Sequence, residues 1–212
     1  MRRAVPYRDL ENLRRDYSRS RPKIRARLEE FARVAQAEYF YELAYCLLTP
    51  QSSAVNAAKA VELLKKADFL ASDIDPSQIL FRKEHYIRFH NTKAKRLLEA
   101  KRSLPEILAA LSAGGSPAEK RAWFVSNVRG LGWKEASHFL RNIGYRDLAI
   151  LDRHILRNLR RHRIIRALPR SLTPARYRSI EEKFRHFADE VRIPMDDLDL
   201  LFWSRETGEI LK

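Results

Sequence analysis

The chain has 212 residues, 45% hydrophobic and 33% charged, enough apolar side chains for one soluble core or two small ones. Forty-two Lys and Arg against 27 Asp and Glu leave a net charge of +15, which suits a nucleic acid, an anionic membrane or an acidic protein as partner. No run of 18 apolar residues and no apolar stretch near Met1 are present, so neither a membrane span nor a signal peptide is expected.

Helical spacing governs nearly the whole chain. Ile24, Leu28, Phe31, Ala35, Tyr39, Leu43 and Cys46 recur at intervals of three and four. This predicts one long amphipathic helix that starts near Pro22 and ends at Thr49-Pro50. Cys46, the single cysteine, excludes an internal disulfide and a four-cysteine iron–sulfur cluster, and it points to a cytoplasmic home. Ser52 or Ser53 caps a helix through Lys65, Asp73 to Pro76 is a turn, and Asn91 caps a helix reaching Lys101. The next helix relies on Pro105 to start it, because Ser103 falls one residue too early to cap it. Ser116-Pro117-Ala118-Glu119 reads as a capping box for a helix to about Asn127. A helix from Trp133 to Ile143 is stopped by Gly144, and Asp152 caps the one carrying Ile155, Leu156 and Leu159. Thr173-Pro174 opens a helix with Ile180, Phe184, Phe187 and Val191 on one face, and Pro194 starts the last, ending near Trp203. No hairpin of alternating strands is seen, so the expected fold is all-α.

The densest chemistry lies in Asn127-Val128-Arg129-Gly130-Leu131-Gly132-Trp133-Lys134-Glu135-Ala136, followed by Leu151-Asp152-Arg153-His154. Two glycines in a tight turn let backbone amides approach and point at a phosphate. Lys134 supplies an amine that can attack carbon, and Asp152 a carboxylate for its protons and for developing charge. To act, that amine must lose its proton, and burial with neighbouring cations such as Arg129 or Arg153 would assist it. The plain alternatives are an exposed helix lysine, a simple N-cap and an αα turn without a ligand. The six histidines lack the paired spacing of a zinc site, so no metal is expected from side-chain ligands.

These residues resemble the helix-hairpin-helix and Gly-Pro-Asp signature of the endonuclease III superfamily. The closer similarity is to its branch of 8-oxoguanine DNA glycosylase/AP lyases of archaea and some bacteria. Leu47-Leu48-Thr49-Pro50-Gln51-Ser52-Ser53-Ala54, Arg88-Phe89-His90-Asn91-Thr92-Lys93-Ala94-Lys95 and the tail from Asp199 to Lys212 support that branch. The resemblance implies two helical lobes flanking a DNA-binding cleft. One is a continuous lobe, 46–145, with the helix-hairpin-helix at about 118–143; the other combines 1–45 with 146–212. It implies Lys134 as a Schiff-base nucleophile, with Asp152 as its catalytic partner. Val128, Arg129, Gly130 and Gly132 would grip the DNA backbone, with a monovalent cation on the hairpin carbonyls. It also implies Phe89 and Trp203 as stacking partners of the flipped base, Lys212 beside that base, and Gln51 facing the opened duplex. Core packing for the two aromatics, a frayed end for Lys212 and helix capping for Gln51 are the competing readings. No organic cofactor is implied.

The expected activity is excision of 8-oxoguanine from duplex DNA, then strand cleavage at the abasic site, by a monomer working at the nucleoid in the cytoplasm. A helix-hairpin-helix glycosylase with another base specificity and a non-catalytic DNA-binding module are the alternatives.

Overall fold

The computed structural model describes residues 7–208, and every regular element among them is helical. The chain divides into two compact units, one spanning 34–143 and the other combining the chain before Val34 with the chain from Gly144 on. The resemblance places the first of these boundaries at 45/46; the structure sets it at 33/34.

That difference has a local cause. The single helix expected from Pro22 to Thr49 is two helices. The first, α1 (Leu10–Ala32), begins well before Pro22 and carries that proline inside it. At Ala35 the backbone is extended (φ −68°, ψ 147°), a 3-10 turn follows at Gln36–Glu38, and α2 (Tyr39–Leu48) begins. Gly144 packs its backbone against the end of α1: a Cβ there would lie 2.9 Å from the Ala32 Cα. Each helix has its own buried face, Leu28 and Phe31 on one and Leu43 and Cys46 on the other. The hydrophobic period therefore runs through a break that it cannot reveal.

In the 34–143 unit, α2 is the central rod, with every residue from Phe40 to Leu48 buried, as expected of a helix apolar on all sides. Its one buried carboxylate, Glu42, accepts a hydrogen bond from the Asn142 side chain at 3.1 Å. Against it pack α3 (Ala54–Lys66), α5 (His90–Arg102) and α8 (Trp133–Asn142), while α4 (Ser77–Leu80), α6 (Leu104–Ser112) and α7 (Pro117–Asn127) pack on those helices. Ser53 caps α3, and Ser116 with Glu119 forms the full reciprocal box on α7. Asn91 is not the cap of α5: the helix starts two residues earlier than that cap implies, at His90, and Phe89 occupies the cap position.

The other unit packs α1 with α9 (Arg153–Arg161), α10 (Pro174–Val191) and α11 (Met195–Thr207). Its core centres on His162, fully buried and stacked against both Phe187 and Phe202. Thr173 caps α10 as expected, while α11 runs past Trp203 to a left-handed stop at Gly208 (φ 82°).

Candidate active site

α7 and α8 form the helix-hairpin-helix. Phe124 meets Phe139 edge to face at 5.0 Å, and Leu131 at the tip is buried. Gly130 sits at φ +99°, which a side chain rarely adopts, and a Cβ there would meet the Arg96 side chain at 2.5 Å. Gly132 is extended and offers no side-chain cap to α8, and the N-terminus of a helix favours an anion. The Val128 carbonyl accepts the Leu131 amide at 3.2 Å, closing the turn.

Just inside α8, Trp133 lies under the buried Arg121, whose guanidinium is 4.7 Å from the ring centre and donates to Ser137 Oγ. This clamp holds the first turn of α8, where Lys134 projects with its side chain 32% exposed. Lys134 Nζ is 3.1 Å from Glu135 Oε1. Arg129 pairs with Glu99 at 3.2 Å. A carboxylate therefore faces the amine, a partner that the reading of the sequence missed. Spacing gave no signal for it, since neighbouring residues on a helix do not ordinarily face each other.

Asp152 caps α9 as expected: its Oδ1 accepts the amides of His154 and Ile155, each at 2.8 Å. Its other oxygen, Oδ2, accepts the Trp203 indole N–H at 3.0 Å. Both carboxylate oxygens are thus held in place, and Trp203 is joined to Asp152 across 51 residues of sequence. The Trp203 ring also meets His154 edge to face at 5.9 Å.

A third cluster joins Gln51 and Phe89. Both are exposed and left-handed, at φ 56° and 59°, a conformation that costs a bulky residue energy and that surrounding structure must enforce. The enforcing group is Lys93. Its buried amine donates to the carbonyls of Leu48 and Pro50, each at 2.7 Å, and to Ser52 Oγ at 3.1 Å. Ser52 Oγ in turn accepts the Arg88 amide at 3.0 Å, lacing the two loops together. Burial, and secondarily the Arg96 cation, pulls the Lys93 pKa down to about 8. The guanidinium of Arg88 covers the Phe89 ring at 4.9 Å. Phe81 and Tyr86 are also exposed, and both contact the His90 ring. Neither Lys93 nor this aromatic cluster stood out by spacing. A buried lysine on a helix that carries other lysines and arginines has no distinct sequence pattern.

Lys212 lies outside the described residues. Burial pushes the Cys46 thiol well above its ordinary range, so it is no nucleophile. Among the described residues no group of three His, Cys, Asp or Glu side chains is placed to hold a metal, and no helix is long and apolar enough to cross a membrane.

Residues 24–193 match the model of the Ogg-HhH family, described as 8-oxoguanine DNA glycosylase. The 8-oxoguanine DNA glycosylase/AP lyase of Fusobacterium nucleatum is 42% identical over 206 residues, covering 92% of this chain and 94% of its own. The Korarchaeum cryptofilum protein of the same name is 38% identical, covering 92% and 93%. Two crystal structures share the fold. That of the Thermotoga maritima 8-oxoguanine DNA glycosylase gives a TM-score of 0.84 at 32% identity, covering 96% of this chain and 98% of that one. That of the Methanocaldococcus jannaschii 8-oxoguanine glycosylase/lyase, in complex with a 15mer DNA containing 8-oxoguanine, gives 0.83 at 30%, covering 94% and 99%. The hairpin, the lysine behind it and the capping aspartate thus sit in a chain that belongs to the Ogg-HhH family.

Proposed function

We propose that this chain excises 8-oxoguanine from duplex DNA and then cleaves the abasic strand, with Lys134 as nucleophile. The carrying observation is the lysine itself, partly exposed in the first turn of α8 directly behind the two-glycine hairpin. The hairpin grips the backbone through Gly130, Gly132 and the first amides of α8, and it presents a flipped nucleotide to the amine. Arg129 adds a cation on the same turn, and Val128 and its neighbours offer carbonyls to a monovalent cation.

The deprotonated Lys134 amine bonds to C1′, and the electron pair of the C1′–N bond leaves with the base. Opening of the sugar ring gives a Schiff base between C1′ and Nζ. Loss of a C2′ proton then expels the 3′ phosphate with the C3′–O electron pair, and water releases the amine. Asp152 serves the cationic sugar and the proton transfers. Its fixed orientation suits it to this, because a preorganised carboxylate needs no reorganisation as charge develops. Phe89 and Trp203 stack on the extruded base, with Lys212 nearby, and Gln51 faces the gap in the duplex. The enzyme acts as a monomer at the nucleoid, on 8-oxoguanine and abasic sites alike.

The test is borohydride trapping on an 8-oxoguanine duplex. The wild type forms a covalent adduct, and Lys134→Gln forms none and releases no base. An adduct that survives in Lys134→Gln defeats the assignment. Trapping on thymine glycol or uracil duplexes in preference to 8-oxoguanine defeats the base specificity.

A further inference from the structure

The C-terminal end of α9 and the segment after it build a feature that the excision chemistry does not use. Here Arg160, Arg163, Arg166, Arg170, Arg176 and Lys183 line a groove of about 1650 Å³ within the unit formed by both chain ends. Of the 19 lining residues nine are Arg or Lys, eight of them arginine, and one, Glu190, is acidic. Arg160, Arg163, Arg166, Arg170 and Lys183 are exposed, and none has a carboxylate partner among the described residues. The floor is apolar, with Ile164, Ile165 and Ile180 buried beneath the cations. So many unpaired like charges in a concave surface repel one another, and a polyanion relieves that repulsion.

We infer that this groove binds the phosphodiester backbone of a second, undamaged DNA segment while the lesion duplex occupies the catalytic residues. The inference rests on the proposed function only in taking DNA as the polyanion. Three observations select this occupant. Arginine predominates, and its planar fork matches phosphate oxygens better than a lysine point charge does. The volume exceeds the 300–1,000 Å³ or so typical of small-molecule sites, which fits an extended chain. Tyr7 and His186 are the only aromatic rings on the lining, so there is no row of aromatics for unpaired bases to stack on, which favours a duplex over a single strand. The groove also lies away from Asp152, which caps one end of α9, while the nine-residue helix puts Arg160 and Arg161 about 14 Å away at the other. A protein holding two segments can pass from one to another during its search without full release.

The test uses the full chain and the triple variant Arg166→Gln, Arg170→Gln, Lys183→Gln. Binding to an undamaged duplex is read by fluorescence anisotropy over a range of salt. The variant is expected to bind roughly 10–100-fold more weakly at 0.1 M salt, and its log K against log salt slope should be shallower by about 2–3, for three lost phosphate contacts. Single-turnover excision on a short lesion duplex, at saturating enzyme, stays at the wild-type rate. A wild-type protein saturated with a short duplex carrying an uncleavable tetrahydrofuran abasic analogue should also form a ternary complex with a second, undamaged duplex, seen by mass photometry; this arm needs no variant to fold. Unchanged affinity and slope, absence of the ternary complex, or a parallel fall in excision overturns the inference. So does a loss confined to inorganic polyphosphate or to phosphatidylserine vesicles. A protein that forms the ternary complex but never excises 8-oxoguanine sinks the enzymatic reading and leaves the groove standing.

Discussion

At the residue scale, the decisive contacts are those that orient Lys134 and Asp152. Trp203 holds Asp152 Oδ2 through its indole N–H, so ring and donor can be separated by substitution. Trp203→Phe keeps an aromatic face for stacking and removes the donor. Hydrogen bonds to charged groups contribute about 1.5–3 kcal/mol, so base release in single turnover should fall by roughly tenfold or more. An unchanged rate would mean that Trp203 acts through stacking alone. Glu135 offers a second handle. Its carboxylate pairs with Lys134 in the free protein, and Glu135→Gln releases the lysine from that pair for attack on the sugar. For a partly exposed pair of about 0.5–1 kcal/mol, trapped adduct at pH 7 should form about two- to fivefold faster. A slower reaction would instead make Glu135 a participant in the chemistry.

At the scale of elements, α5 and the loop after α2 are one mechanical piece because Lys93 joins them. Lys93→Met takes the Lys93 donor from two carbonyls and leaves Ser52 Oγ with only the Arg88 amide. It should lower stability by about 1–3 kcal/mol and loosen the left-handed Gln51 and Phe89. The lowered pKa adds a signature in pH. The unfolded chain binds the Lys93 proton more tightly, so the folded state carries a penalty at pH 7 that is relieved as pH rises from about 8 to 10.5. Urea unfolding of wild type and variant should show the wild type gaining on Lys93→Met through that window. Parallel curves would mean that the amine is not desolvated. The helix starts on either side were legible in the sequence wherever a side chain makes the cap: Ser53, Ser116, Asp152 and Thr173 all do so. Phe89 was not legible as a cap, because it holds that position through backbone conformation and tertiary lacing rather than through a polar side chain.

At the scale of the whole molecule, His162 ties the unit built from both chain ends to pH. Burial pulls its pKa below 6.5, opposed by the Arg8 carbonyl that its ring contacts at 2.8 Å. Its contribution to stability is complete above 6.5 and is lost as pH falls through the lower folded value, since the unfolded chain takes up the proton first. Thermal unfolding should therefore show a falling midpoint from about pH 6.5 downward, and His162→Phe should flatten that limb. A variant with the same acid slope would move the cause to the carboxylates.

Sequence by itself determined the all-α class, most helix limits, the hairpin with its lysine and the aspartate cap, because each is written in local spacing, in turn residues or in a polar side chain next to the amide it serves. Tertiary structure alone decided where the first long helix breaks, which carboxylate faces Lys134, that Trp203 grips Asp152, and that arginines from Arg157 to Arg176 gather into one groove. Those features depend on backbone approaching backbone, or on side chains far apart in the chain meeting in space. A hydrophobic period or a motif records what a residue needs around it, and the fold chooses which neighbour meets the need.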